Sequence, residues 1–99
     1  MAINVQIQDH TASIAISGRF DFKVLRDFKD AYTPLLVDDA VQEIDIEMSQ
    51  LTYMDSSTLG ILILLHERAK AVNKTISLLN PTGVVFELLE VSMLLLTEN

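Results

Sequence analysis

Apolar and polar side chains alternate through the first residues of the chain. Ile3, Val5 and Ile7 are separated by Asn4, Gln6 and Gln8, the period of two of a strand with one buried face. Asp9-His10 has the composition of a tight turn, after which Ala12, Ile14 and Ile16 alternate with Ser13, Ala15 and Ser17. The first two strands therefore read as an antiparallel hairpin, and Gly18 breaks the pattern. From about Asp21 the period changes. Leu25, Phe28 and Tyr32 fall at helical spacing, with Arg26, Asp27, Lys29 and Asp30 on other faces. Asp21 suits the cap of this helix. Pro34 is expected to end or kink it, because the ring clashes with the preceding turn and restricts Thr33. Leu35, Leu36 and Val37 are expected to form a further turn on the core.

Ile44, Ile46 and Met48 alternate with Glu43, Asp45 and Glu47 in a third strand. A strand covered on both faces reads as a continuous apolar run, so these charged alternates predict a sheet with one open face. A long helix is expected from about Ser57 to Asn73. Leu62, Leu65, Ala69 and Val72 form its inward stripe, Ile61 and Ile63 broaden it, and Arg68, Lys70 and Lys74 lie near its end, where cations suit the dipole. Thr75 to Leu79 reads as a fourth strand, broken by Asn80-Pro81. Thr82 then caps a short helix turning Val85, Leu88 and Leu89 inward, and Met93 to Leu96 is a candidate last strand. The order β-β-α-β-α-β-α-(β) predicts one α/β domain over residues 1–99. Its sheet is mixed and mostly parallel, with four to five strands and helices mainly on one face.

Composition narrows the function classes. The chain has 99 residues, 49% of them hydrophobic, enough for one modest core. Fourteen acidic against seven basic residues give a formal charge of −7, which repels nucleic-acid phosphates and anionic lipid headgroups and favours a partner with a basic patch. The absence of cysteine removes disulfides, thiolate catalysis and cysteine-ligated metals. Met1-Ala2-Ile3-Asn4 lacks the basic and then apolar regions of a signal peptide. The run Leu59 to Leu65 is far below the ~18 residues of a spanning helix. A soluble cytoplasmic protein is expected.

The chemistry concentrates in Met54-Asp55-Ser56-Ser57-Thr58-Leu59-Gly60, at the passage from strand to apolar helix. Backbone N–H groups there lack intrahelical acceptors. A serine or aspartate in that place is ordinarily only a cap, worth about 1 kcal/mol; Ser56 admits that reading, Ser57 more so, and for Asp55 and Asp21 capping competes with partner contact. Elsewhere the signals are weak. His10 and His66 are isolated and no serine-histidine-carboxylate spacing stands out. Glu43, Asp45 and Glu47 have the period of a solvated strand face, unlike a metal loop. Gly18, Gly60 and Gly83 are too far apart for a nucleotide cradle. No cofactor or metal is expected, and no catalytic residue.

Tyr53-Met54-Asp55-Ser56-Ser57-Thr58-Leu59-Gly60 resembles the strand-to-helix signature of the STAS domains that act as anti-sigma factor antagonists. Gly18-Arg19-Phe20-Asp21 is similar to the family's segment entering the first helix, and Asn80-Pro81 to its exit from a late strand. The resemblance runs from Ile3 to about Leu96. It implies a docking protein that binds an anti-sigma factor when unmodified and so frees a sigma factor. A serine kinase, often the anti-sigma factor itself, ends the interaction by phosphorylating Ser56, the less favoured alternatives to it in this chain being Ser57 and Thr58, and a PP2C-type phosphatase restores it. The implied partner contacts are Asp21, Asp55, Ser56, Ser57, Thr58, Leu59 and Gly60, on a protein expected to be a monomer. Two departures from the pattern are visible: Thr58 stands where many members have glycine, adding a side chain at the rim of the site, and Ser92-Met93 replaces a common Ser-Gly, with no room after it for a long terminal helix. STAS domains that serve as accessory subunits of transporters or signalling assemblies, with no phosphorylation switch, are the alternative. A hydrolase using Ser56 as nucleophile lacks a recognisable base.

Overall fold

The computed structural model describes residues 2–91. The hairpin forms as the alternation predicts. β1 (Ala2–Gln8) and β2 (Thr11–Phe20) pair antiparallel, with Gln8 opposite Thr11 and Asp9 in the left-handed region at φ 57°, which a short polar side chain tolerates. β2 does not stop at Gly18. That glycine takes φ 84° where the register slips, and the strand continues to Phe20. A short 3-10 turn (Phe22–Val24) leads into α1 (Leu25–Val37), followed by β3 (Glu43–Met54), α2 (Ser56–Ala71), β4 (Thr75–Leu79) and α3 (Gly83–Val91). The sheet order is β1-β2-β3-β4, parallel at β2/β3 and β3/β4. Among the described residues, four strands and three α-helices make the mixed α/β architecture the sequence predicts. The candidate strand Met93 to Leu96 lies outside the described residues.

One face of the sheet carries the core. Ala12, Ile14 and Ile16 of β2, Ile44, Ile46 and Met48 of β3 and Ile76 of β4 are buried with Phe28, Tyr32, Leu62, Leu65, Val85 and Leu89 of the helices. Phe20, Phe28 and Tyr32 stack edge to face at centroid spacings of 5.0 and 5.4 Å. Glu43, Asp45 and Glu47 point the other way, to the expected open face.

Several local expectations need correction. Of the two outcomes expected at Pro34, an end to the helix does not occur: α1 continues through the expected further turn to Val37. Leu35 is buried and Leu36 packs on the core just beyond the proline. Burying such a side chain gives about 1.5–3 kcal/mol, comparable with the ~3 kcal/mol that an interior proline costs. On β1, Val5 and Ile7 are 38% and 53% exposed, because β1 is the outer strand and only Ile3 reaches the core. Val72 lies past the end of α2 and is half exposed. Asn73 (φ 61°) ends that helix, with Lys74 N donating to Ala69 O at 2.8 Å. Lys74 does not serve the helix dipole. Its buried ammonium donates to the carbonyls of Asp38 and Val41, tying the α1–β3 loop to the start of β4.

Candidate functional site

Two bulges decide where β3 ends. Ala15 and Ser17 pair with Glu47 and Gln50, and Gly18 and Arg19 with Leu51 and Tyr53, so β3 holds an extra residue at each slip. The strand thus reaches Met54 opposite Phe20 and delivers Asp55 beside the turn that follows β2. Asp55 N donates to Phe20 O at 3.3 Å.

The Asp55 carboxylate is the cap of α2. Oδ1 accepts from the Ser57 hydroxyl at 2.6 Å and from Thr58 N at 3.0 Å, while Oδ2 accepts from Phe22 N at 3.1 Å. The Ser57 hydroxyl first, and then the Thr58 and Phe22 N–H groups, hold this carboxyl below its ordinary range against a smaller opposing effect of burial. Asp21 caps its own turn, accepting from Lys23 N at 3.1 Å, and lies 3.7 Å from Arg19 Nε. The Arg19 guanidinium sits 4.0 Å from the centre of the Tyr53 ring. Both aspartates therefore have structural work in the fold.

With the cap supplied by Asp55, Ser56 is the first residue of α2 and not its cap. It is exposed, and its hydroxyl makes no hydrogen bond among the described residues. Ser57 is also exposed, but its hydroxyl is held by Asp55. Thr58 does not stand at the rim. It is fully buried, and its Oγ1 lies 3.0 Å from Phe20 O and 2.8 Å from Asp55 O, so it pins the helix start to the end of β2. A kinase cannot reach that hydroxyl in the folded chain. Leu59 is half-buried, and Gly60 is exposed with nothing within 4 Å of where a Cβ would lie.

Three further residues belong to this surface and were not singled out from the sequence. Ile63 and Leu64 are 40% and 39% exposed, and Phe22, bonded through its N–H to Asp55, is 65% exposed. Ile63 thus faces outward rather than inward, while Ile61 packs on the core. The signal was present. Seven consecutive apolar or glycine residues on a helix cannot all face one sheet, and at 100° per residue Gly60, Ile63 and Leu64 share the side of Ser56. The structure brings an unbonded hydroxyl, an open glycine and the exposed Phe22 to one end of the domain, and the same helix face carries the exposed Ile63 and Leu64 on to roughly 12 Å from Ser56.

The histidines lie elsewhere. His10 Nδ1 is 2.9 Å from Ala40 O at the opposite end of β2, and His66 is roughly 15 Å along α2 from Ser56. Among the described residues no three His, Asp or Glu side chains gather to hold a metal ion, and no helix is long and apolar enough to cross a membrane.

Comparison with known proteins places the fold. Residues 3–94 match the family model described as Mlab, STAS domain. A STAS-domain containing protein of Pseudomonas aeruginosa strain UCBPP-PA14 is 40% identical over 80 residues, covering 81% of this chain and 77% of the relative. The phosphorylated form of the Bacillus cell fate determinant SpoIIAA superposes with a TM-score of 0.80 at 22% identity, over 98% of this chain and 87% of that one. An anti-sigma factor antagonist from Mycobacterium paratuberculosis gives 0.79 at 18% identity, over 97% and 80%. At these identities the structures speak for the fold alone, but the family model and the Pseudomonas relative span most of the chain: it belongs to the STAS-domain family.

Proposed function

We propose that this protein is a phosphorylation-switched docking domain, which binds an anti-sigma factor or related signalling partner while Ser56 is free and releases it when Ser56 is phosphorylated. The observation that carries this reading is the state of Ser56: exposed, unbonded and relieved of capping by Asp55. A serine kinase, which the sequestered partner itself can supply, adds the phosphate, and a PP2C-type phosphatase removes it. On this reading the protein works in the cytoplasm as a monomer and is the substrate of these enzymes, not an enzyme itself.

Phosphorylation adds about 1.5 to 2 negative charges and three acceptor oxygens. The first-turn N–H groups and the helix dipole make such a group tolerable at Ser56, whereas Asp55 next door opposes it. The fold is therefore expected to survive modification, and the effect falls on the partner surface. A dianion beside Gly60, Ile63 and Leu64 must be desolvated before a partner can cover those side chains. Fold likeness to SpoIIAA in both its unphosphorylated and phosphorylated forms supports a fold that tolerates the modification.

Binding of the partner recovered with a Ser56→Ala bait tests the switch. Ser56→Ala should bind constitutively, and Ser56→Asp should bind at least about tenfold more weakly, some 1.4 kcal/mol. An exposed apolar patch suited to a permanent contact favours one other reading, a STAS accessory subunit. Equal affinity of wild type, Ser56→Ala and Ser56→Asp would select it.

A further inference from the structure

At the end of the helical layer away from Ser56, α1 and α2 diverge around a groove of about 370 Å³, within the size range of small-molecule pockets. Leu36, Val37 and Val72 give it apolar walls, and Lys29 and Arg68 stand over it from the two helices. Val37 and Val72 are 77% and 49% exposed, more than their chemistry favours. Neither Lys29 nor Arg68 has a side-chain partner among the described residues, although the chain carries twice as many acids as bases.

Tyr32 forms the floor of the groove, with its hydroxyl closed to solvent. Its side chain is 1% exposed and lines the groove, yet its hydroxyl has no hydrogen-bond partner among the described residues. Buried hydroxyls are ordinarily bonded, and an orphan calls for an explanation. Burial raises the Tyr32 pKa and the nearby Arg68 charge draws it back, so phenol and guanidinium share one locality.

We infer that this groove binds a small amphipathic anion, with its acidic head between Lys29 and Arg68 and its aliphatic body against Leu36, Val37 and Val72. Two unpaired cations suit a carboxylate or a phosphate monoester, to which charge-assisted bonds are the strong ones. An aliphatic amine fits badly. The groove is lined from Lys29 to Val37 of α1 and from Arg68 to Val72 at the end of α2, and Arg68 lies roughly 18 Å along α2 from Ser56, so the site stands apart from the proposed switch.

Amide chemical-shift mapping of the whole chain with sodium octanoate, octyl phosphate, octylamine and octanol tests this. The anions should shift amides of the last turns of α1 and α2, whichever head group binds more tightly naming the better ligand. A Lys29→Gln/Arg68→Gln variant, altered only at exposed positions, should weaken binding at least about tenfold. Ser56→Ala should bind as wild type does, which separates this site from the switch. Absence of shifts with millimolar octanoate and octyl phosphate, equal shifts with octylamine or octanol, or undiminished binding by the double variant would overturn the inference.

Discussion

Asp55 does three things with one carboxylate: it caps α2 through Thr58 N, holds the Ser57 hydroxyl and accepts from Phe22 N across the junction. Replacing it with alanine should cost about 1–2 kcal/mol in urea unfolding, the upper range for a lost cap because a second segment is released too. The pH sign follows from its lowered pKa. Its contribution is present above the ordinary carboxylate range and is lost as pH falls through the depressed folded value. Wild type should therefore lose stability on acidification where Asp55→Ala loses less. The sequence located this junction but could not distribute its roles. Asp55, Ser56 and Ser57 are all good cap residues in a row, and only the phase of the first helical turn decides that Asp55 caps, Ser56 is free and Thr58 is buried.

Elements were legible where one period governed them and obscure where tertiary contacts overrode it. The alternation in β1, β2 and the first half of β3 declared strands and faces directly. The far half of β3 did not, because Ser49 and Gln50 are both exposed and the bulges reset the alternation before Leu51 and Met54 return to the core. Pro34 misled for a similar reason: a local rule yielded to the burial of Leu35. β3 also makes a prediction of its own. Burial first, then a hydrogen bond with Glu43 and the charges of Glu43 and Glu47, push the Asp45 pKa up to about 6. A raised carboxyl contributes stability below its ordinary value and loses it as pH rises through about 6. Asp45→Asn should therefore stabilise the protein at neutral pH by roughly 1 kcal/mol, a figure discounted for solvent screening, and change little near pH 4. A variant no more stable than wild type in neutral-pH melts would contradict this.

Across the whole molecule the helices cover one face of the sheet and leave an acidic row on the other, while the chemistry separates towards the ends of the helical layer. One end presents Ser56 with Phe22 and Gly60, from which the exposed Ile63 and Leu64 run to the middle of α2; the other presents the groove between Lys29 and Arg68. The fold class and the position of Ser56 were readable from the chain. The apolar surround of Ser56 and the groove were not, because both depend on which helix faces are left uncovered once the core is packed. The account stands on Ser56 being modified in the cell. Its most direct test is phosphopeptide mass spectrometry of the protein isolated from its own cells, with the Ser56→Ala variant alongside. A phosphate mapped to Ser56 and absent from the variant is the predicted result; an unmodified Ser56 under every growth condition tried, or a phosphate found only elsewhere, would contradict the switch.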